Sequence, residues 1–147
     1  MSTMHIEESL LIAASPGKIY GVITDFEVGH KAILPPQFTD LRVEVGGQGE
    51  GTIAIAEMNV MGQKSVFRLH ITEPEPGRVM IEADPDAGVE TTWTLEPVSD
   101  TETKVTISSK MQTSAGIKGW IERLVTPSIT QGIYKEELQL LADYVRA

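Results

Sequence analysis

From Phe38 onward, turn signals recur at strand-length intervals: Gly46-Gly47, Gly62-Gln63, Pro74-Glu75-Pro76-Gly77, Pro85-Asp86-Ala87-Gly88 and Ser99-Asp100. Gly reaches positive φ, Pro presets φ near about −65°, and Asp or Ser folds its side chain back on the backbone, so such clusters reverse the chain. Between them lie Leu41–Val45, Thr52–Val60, Ser65–Thr72, Arg78–Ala83, Val89–Glu96 and Thr103–Lys110, rich in the Val, Ile and Thr that suit a pleated surface. A parallel neighbour needs a crossover of a dozen or more residues, and these connections are far shorter, so the strands run antiparallel. In the fifth of them Val89, Thr91, Trp93 and Leu95 share one face while Glu90, Thr92, Thr94 and Glu96 share the other, which makes one face dry and one wet.

Upstream, His5–Ala13 alternates with Ile6, Leu10 and Ile12 on one face and is stopped by Ala14-Ser15-Pro16-Gly17. Ser15 and Pro16 read as N-cap and first residue of a short helix through Ile19, Tyr20, Val22 and Ile23. Asp25 can cap a second short helix that ends before Pro35-Pro36. Downstream, Ile117, Ile121, Leu124, Ile129, Leu138, Leu141 and Val145 recur at helical spacings, with Lys118, Glu122, Lys135, Glu136 and Asp143 between them. Pro127 costs this helix a backbone hydrogen bond and predicts a kink or two helices in tandem. The order is α+β, and only the C-terminal helix is long enough to cover the sheet's apolar face. No repeat, low-complexity tract or linker divides the chain, so residues 1–147 are expected to form a single domain.

The formal charge is −9, and between Glu73 and Glu102 nine acidic residues face Arg78 alone among Lys and Arg, a balance that repels nucleic acid and anionic lipid. Cysteine is absent, which removes disulfides, thiolate metal sites and thiol nucleophiles. Met1–Ser9 has no basic run followed by an apolar stretch, and no apolar run approaches the roughly 18–20 residues of a membrane span. A cytoplasmic protein without stable membrane association is expected.

Side chains that carry chemistry are sparse. His5, His30 and His70 are isolated, with no spacing that puts two ligands on one helix face, so no metal site is expected. The pairs Glu7-Glu8 and Glu136-Glu137 point apart and read as solvated surface. Gly46-Gly47-Gln48-Gly49-Glu50-Gly51 lacks the Lys-Ser/Thr of a phosphate loop and reads as a flexible hairpin connection. There is no G-x-S-x-G elbow. His70 lies opposite Phe67, Leu69 and Ile71 by strand parity and is expected to face outward. Arg68 and His70, sharing one face, and Tyr134 from the helix are the groups nominated for moving a proton.

The runs Ala14-Ser15-Pro16-Gly17-Lys18-Ile19-Tyr20-Gly21-Val22-Ile23-Thr24-Asp25-Phe26-Glu27, Gly49-Glu50-Gly51-Thr52, Ile71-Thr72-Glu73-Pro74-Glu75-Pro76-Gly77-Arg78 and Trp93-Thr94-Leu95-Glu96-Pro97 follow one another across nearly the whole chain. In this order the sequence resembles the START-like, or SRPBCC, superfamily of helix-grip proteins, in its polyketide cyclase/dehydrase branch. The likeness implies a seven-stranded antiparallel sheet curved around the long C-terminal helix, with two short helices between strands 1 and 2. It also implies that the first strand pairs with the last and that a hydrophobic cavity lies between sheet and helix. Lipid carriers, plant hormone and allergen-type binders, aromatase/cyclases, quinone-binding proteins and a co-chaperone class share the fold, so fold alone does not decide function. Where many members carry tryptophans in the second helix, this chain has Val28-Gly29-His30-Lys31-Ala32-Ile33-Leu34.

On that fold, Thr52, Ala54 and Ala56 leave space on the inner face of the sheet, Ser128 and Gly132 leave it on the facing helix, and the likeness adds Met58 to the lining. Phe67, Trp93, Leu124 and Tyr134 are expected as further walls, with Thr91 and Tyr134 as polar contacts. The entrance is expected between Gly116–Trp120 and the turns at Gly62-Gln63 and Pro85–Gly88. The function implied is binding of a hydrophobic small molecule, a lipid, isoprenoid or polyketide-like compound, without a cofactor. The alternatives are a cyclase/dehydrase-like enzyme that uses neither metal nor covalent nucleophile, and a protein-interaction module acting through the sheet's edge or acidic face. Oligomeric state is left open.

Overall fold

The structure, a computed structural model, describes residues 2–113 and 127–146. β1 (Ser2–Ile12) is followed by α1 (Pro16–Ile23) and α2 (Gly29–Ala32), then by β2 (Phe38–Val45), β3 (Ile53–Val60), β4 (Gln63–Glu75), β5 (Val79–Asp84), β6 (Val89–Ser99) and β7 (Glu102–Thr113), and last by α3 (Pro127–Arg146). The seven strands form one antiparallel sheet in the order β1-β7-β6-β5-β4-β3-β2, with β1 paired to β7 along its length from Ser2↔Thr113 to Ile12↔Thr103. This is the α+β helix-grip architecture that the order of elements and the family likeness imply.

Several strands run further than the sequence suggests. β4 passes through Pro74 and β6 through Pro97. Both prolines sit at register shifts, between Thr72 and Glu75 and between Pro97 and Ser99, where a missing N–H removes no regular ladder bond. Further shifts interrupt β2 between Phe38 and Asp40 and between Val43 and Val45. Such bulges bend a strand and raise its twist, which suits a sheet that wraps a helix.

Ser15 caps α1 by accepting from the Lys18 N–H at 3.3 Å, with Pro16 in the first turn. Asp25 takes the backbone N–H groups of Glu27, Val28 and Gly29 on its two oxygens and so organises the entry to α2. Burial alone would raise the Asp25 pKa, but these bonds and one from Gln48 hold it below the usual carboxylate range. Thr103 donates its hydroxyl to the Ala14 carbonyl at 2.8 Å and ties β7 to the exit of β1.

The glycine run between β2 and β3 is not the free hairpin connection the sequence suggests. Gly47 O accepts from Phe26 N–H and Gly49 N–H donates to Thr24 O, each at 2.9 Å, so the loop is stitched to the segment between α1 and α2. Gly49 has φ +60°, and a Cβ there would collide with the Glu73 carboxylate, which explains why the run has no side chains at its close approaches.

Pro127 begins α3, where a helix's first turn needs no N–H from that residue, and the kink or tandem arrangement expected there involves residues outside the described ones. The expected helical positions Ile117, Ile121 and Leu124 lie outside the described residues. Along α3 the buried stripe is Ile133, Tyr134, Glu137, Leu138, Leu141, Ala142 and Val145. It shares a core with Ile6, Trp93, Leu95 and Ile107 of the sheet and with Ile19 and Ile23 of α1.

Candidate functional site

Between sheet and α3 lies a cavity of about 760 Å³. Its apolar walls include Phe26, Met58, Phe67, Leu69, Trp93 and Ile133. Gln63, Ser65, Val66, Ala87 and Gln112 border the cavity and are exposed, so the described part of its mouth lies at the β3–β4 and β5–β6 turns and the end of β7.

At one end three ionisable side chains from three elements converge: His30 of α2, Glu82 of β5 and Glu137 of α3, exposed by only 3%, 8% and 4%. Phe26 and His30, four residues apart, stack with ring centroids 4.4 Å apart and planes at 14°, and the edge of Trp93 meets His30 at 5.6 Å. His30 Nδ1–H donates to the Ile23 carbonyl at 2.7 Å, which fixes the ring and turns Nε2 toward the carboxyl groups. Nε2 stands 3.3 Å from Glu82 Oε1 and 3.8 Å from Glu137 Oε2. Trp93 Nε1–H donates to the same Glu82 Oε1 at 3.1 Å.

Burial raises the Glu82 pKa, and the attraction of His30 and the Trp93 hydrogen bond offset part of that rise. Burial also lifts the Glu137 pKa well above the ordinary range, and repulsion from Glu82 lifts it further. Glu137 has no comparable counterweight, so of the two carboxyls its pKa is raised the further. Beside it on α3, Tyr134 hydrogen-bonds Ser109, which in turn pairs with Thr91 at 2.6 Å. Burial pushes the Tyr134 hydroxyl up to about 12 despite these bonds.

Of the side chains nominated from sequence, Met58, Phe67, Thr91, Trp93 and Tyr134 border the cavity. Leu124 lies outside the described residues. Ser128 is exposed, and so is Gly132. Nine residues at about 100° each place Ser128 roughly opposite Glu137 around the helix, on its outward side. Ala56 borders the cavity, whereas Thr52 and Ala54 are buried in the core beside it, the Thr52 hydroxyl accepting from Gly47 N–H at 3.0 Å. Arg68 and His70 do share a face, but it is the outer one. Arg68 pairs there with Glu44 at 2.8 Å and with His70 Nε2 at 3.3 Å, because the alternate residues Phe67 and Leu69 take the inner positions.

His30, Glu82 and Glu137 were not nominated, yet each left a trace in the sequence. Glu137 stands midway between Ile133 and Leu141 on the apolar stripe, so adjacent glutamates that point apart put Glu136 outside and Glu137 inside. Glu82 shares strand parity with the buried Met80. His30 follows Phe26 by one turn. Among the described residues no group of three His, Asp or Glu is placed to hold a metal ion.

Solved structures with the same fold include the KanY protein, at TM-score 0.86 and 23% identity over 100% of both chains. They also include the Zhui aromatase/cyclase of Streptomyces sp. R1128, at TM-score 0.72 and 15% identity over 99% of this chain and 94% of that one. A third is norcoclaurine synthase of Thalictrum flavum in complex with dopamine and hydroxybenzaldehyde, at TM-score 0.69 and 20% identity over 98% of this chain and 87% of that one. Among curated proteins none matches by sequence. At such identities the structural likeness establishes the fold, and membership rests on the sequence itself. From residue 3 to residue 146 it fits the pattern described as polyketide cyclase / dehydrase and lipid transport, so the chain that builds this cavity belongs to that family.

Proposed function

We propose that this protein binds one apolar small molecule in the cavity, its hydrocarbon body against Met58, Phe67 and Trp93 and its polar head at the His30, Glu82 and Glu137 end. The observation that carries the reading is the cavity, whose volume falls within the ~300–1,000 Å³ of small-molecule sites and whose apolar walls close on a few convergent polar groups. Burying about eight methylenes at roughly 0.8 kcal/mol each supplies near 6 kcal/mol. A micromolar complex needs about 8 kcal/mol net of association costs, so the polar end must contribute. The acidic surface argues against nucleic acid as the partner.

The test is displacement of a neutral fluorescent probe, Nile red, followed alongside native mass spectrometry of protein purified without detergent. Probe uptake that long-chain amphiphiles reverse at tens of micromolar supports the reading. No uptake and no retained small molecule rejects it.

A cyclase/dehydrase-like enzyme is a second reading, favoured by one observation: a Nε2–Oε1 pair at 3.3 Å beside a second buried carboxyl is an acid–base set inside an apolar cavity. Turnover of a poly-ketone thioester that His30→Asn abolishes supports it, and equal turnover by the variant removes it.

A further inference from the structure

His30 and Glu82 each have a close partner at the polar end. Because Nδ1–H is committed to the Ile23 carbonyl, Nε2 is the ring nitrogen that faces Glu82 Oε1, at 3.3 Å. Glu137 is then the odd member. Its Oε2 lies 3.8 Å from His30 Nε2, beyond hydrogen-bond reach, and among the described residues no hydrogen bond meets its carboxyl group. It is nevertheless 4% exposed and borders the cavity. The titratable groups packed around it are His30 from α2, Glu82 from β5 and Tyr134 from the preceding turn of α3, and no Lys or Arg is among the described residues that line the cavity. A buried carboxyl whose only polar neighbour is a ring nitrogen at 3.8 Å gains from a hydrogen-bonding group brought in through the cavity it borders.

We propose that Glu137 is the receptor for the basic nitrogen of an apolar amine, an inference that rests on the binding function proposed above and names its head group. An alkylamine in water is an ammonium ion with a pKa near the ~10.4 of lysine. On leaving water it gives one proton to solvent and enters as the free base. Inside, its nitrogen takes the Glu137 proton, the N–H bond forming as the O–H bond breaks, and an ammonium–carboxylate pair results. Glu137 and its guest stay neutral together throughout, and one proton appears in solution for each amine bound. The rise in the Glu137 pKa from burial and from Glu82 is consistent with a proton held there until a cation replaces it. An alkyl carboxylate meets the opposite situation, since its charge would add to two buried carboxyl groups. An alcohol can bond to Glu137 but forgoes the charge-assisted contact, which is roughly twice as strong as a neutral one.

Decylamine, decanol and decanoate, matched in chain length, separate these cases by isothermal titration at pH 7 in phosphate and in Tris, whose ionisation enthalpies differ, with enough salt to screen the acidic surface. The expected order is decylamine tightest, by about tenfold or more over decanol, then decanol, then decanoate. Release of one proton per decylamine is expected, and Glu137→Gln, which keeps the shape, should remove both the amine's advantage over decanol and the proton release. Decanol or decanoate binding as tightly as decylamine overturns the proposal and leaves the apolar-ligand reading standing. Decylamine binding unchanged in Glu137→Gln also overturns it. If that variant does not fold, the wild-type protein decides alone, because decylamine bound without proton release is incompatible with the exchange. Failure of all three to bind overturns both readings.

Discussion

Trp93 of β6 donates its indole N–H to Glu82 of the adjacent strand β5 across 3.1 Å, so a large wall of the cavity also holds the cavity's polar end in place. The two residues are diagonal neighbours on the inner face, Trp93 being paired with Met80 and Glu82 with Thr91. A ligand that moves the indole therefore moves the carboxyl that faces His30.

Trp93→Phe preserves most of the ring volume and deletes the donor, which should cost about 1–3 kcal/mol as a buried carboxyl loses a hydrogen bond. Trp93→Ala should cost about 3–5 kcal/mol because a cavity is added. Urea unfolding followed by circular dichroism measures both, and equal costs for the two would show that the hydrogen bond contributes nothing separable from volume. In a Trp120→Phe background the emission of Trp93, 1% exposed, should be blue-shifted and should respond to Nile red.

Glu137 makes stability depend on pH with a definite sign. Its folded pKa lies above the unfolded value of about 4.3, so the folded state binds the proton more tightly and the contribution is complete below that pH. As pH rises toward the folded pKa the unfolded chain has already lost the proton, and stability falls by up to about 1.4 kcal/mol per pH unit from this group. Glu137→Gln abolishes that slope, so the variant should gain on the wild type as pH rises from about 5 toward the folded pKa of Glu137. Parallel stability curves for the two proteins would mean that Glu137 is not protonated in the fold.

The sheet was legible because its turns are written in Gly, Pro and Asp, which act locally, and because strand parity is a rule of nearest neighbours. Strand ends were less so. Pro74 and Pro97 read as stops, whereas a bulge lets β4 and β6 continue through them. The polar end escaped for a different reason: His30, Glu82 and Glu137 stand far apart along the chain, and each alone is an ordinary surface residue type. Glu137 could have been read from the Ile133–Leu141 stripe, while nothing local marks His30 as inward except Phe26 one turn earlier. Arg68 and His70 attracted notice by residue type, yet the parity that sets Phe67 and Leu69 inward places them outside.

The His30–Glu82 contact can be measured as a coupling. His30→Phe keeps an aromatic ring against Phe26 but strips the Ile23 carbonyl and Glu82 of their partner, and removing one side of such a buried pair typically costs about 3–5 kcal/mol. Glu82→Gln in the same background should recover part of that loss, giving an interaction energy of about 0.5–3 kcal/mol in a double-mutant cycle. Strictly additive effects would mean that the two side chains, though 3.3 Å apart, do not stabilise one another.

The position of His30 depends in turn on the residue before it. α2 approaches α1 so closely that a Cβ on Gly29 would lie 2.7 Å from the Val22 carbonyl oxygen and 3.1 Å from its Cα, and these are backbone atoms that cannot swing aside. Gly29→Ala must therefore push α2 away from α1 and carry His30 with it, lengthening the contact to Glu82 and loosening the Phe26 stack. Overpacking of this kind costs about 1–3 kcal/mol. Gly21→Ala on α1 is the control, because nothing lies within 4 Å of the added Cβ and an alanine in a helix should stabilise by about 0.4–1 kcal/mol. The expected outcome is a Gly29→Ala protein that still folds, unfolds at lower urea than the wild type, and binds Nile red or decylamine more weakly, while Gly21→Ala gains stability and binds normally. A Gly29→Ala protein with unaltered stability and binding would show that α2 is free to shift, and that the close approach of the two helices does not hold His30 in the site.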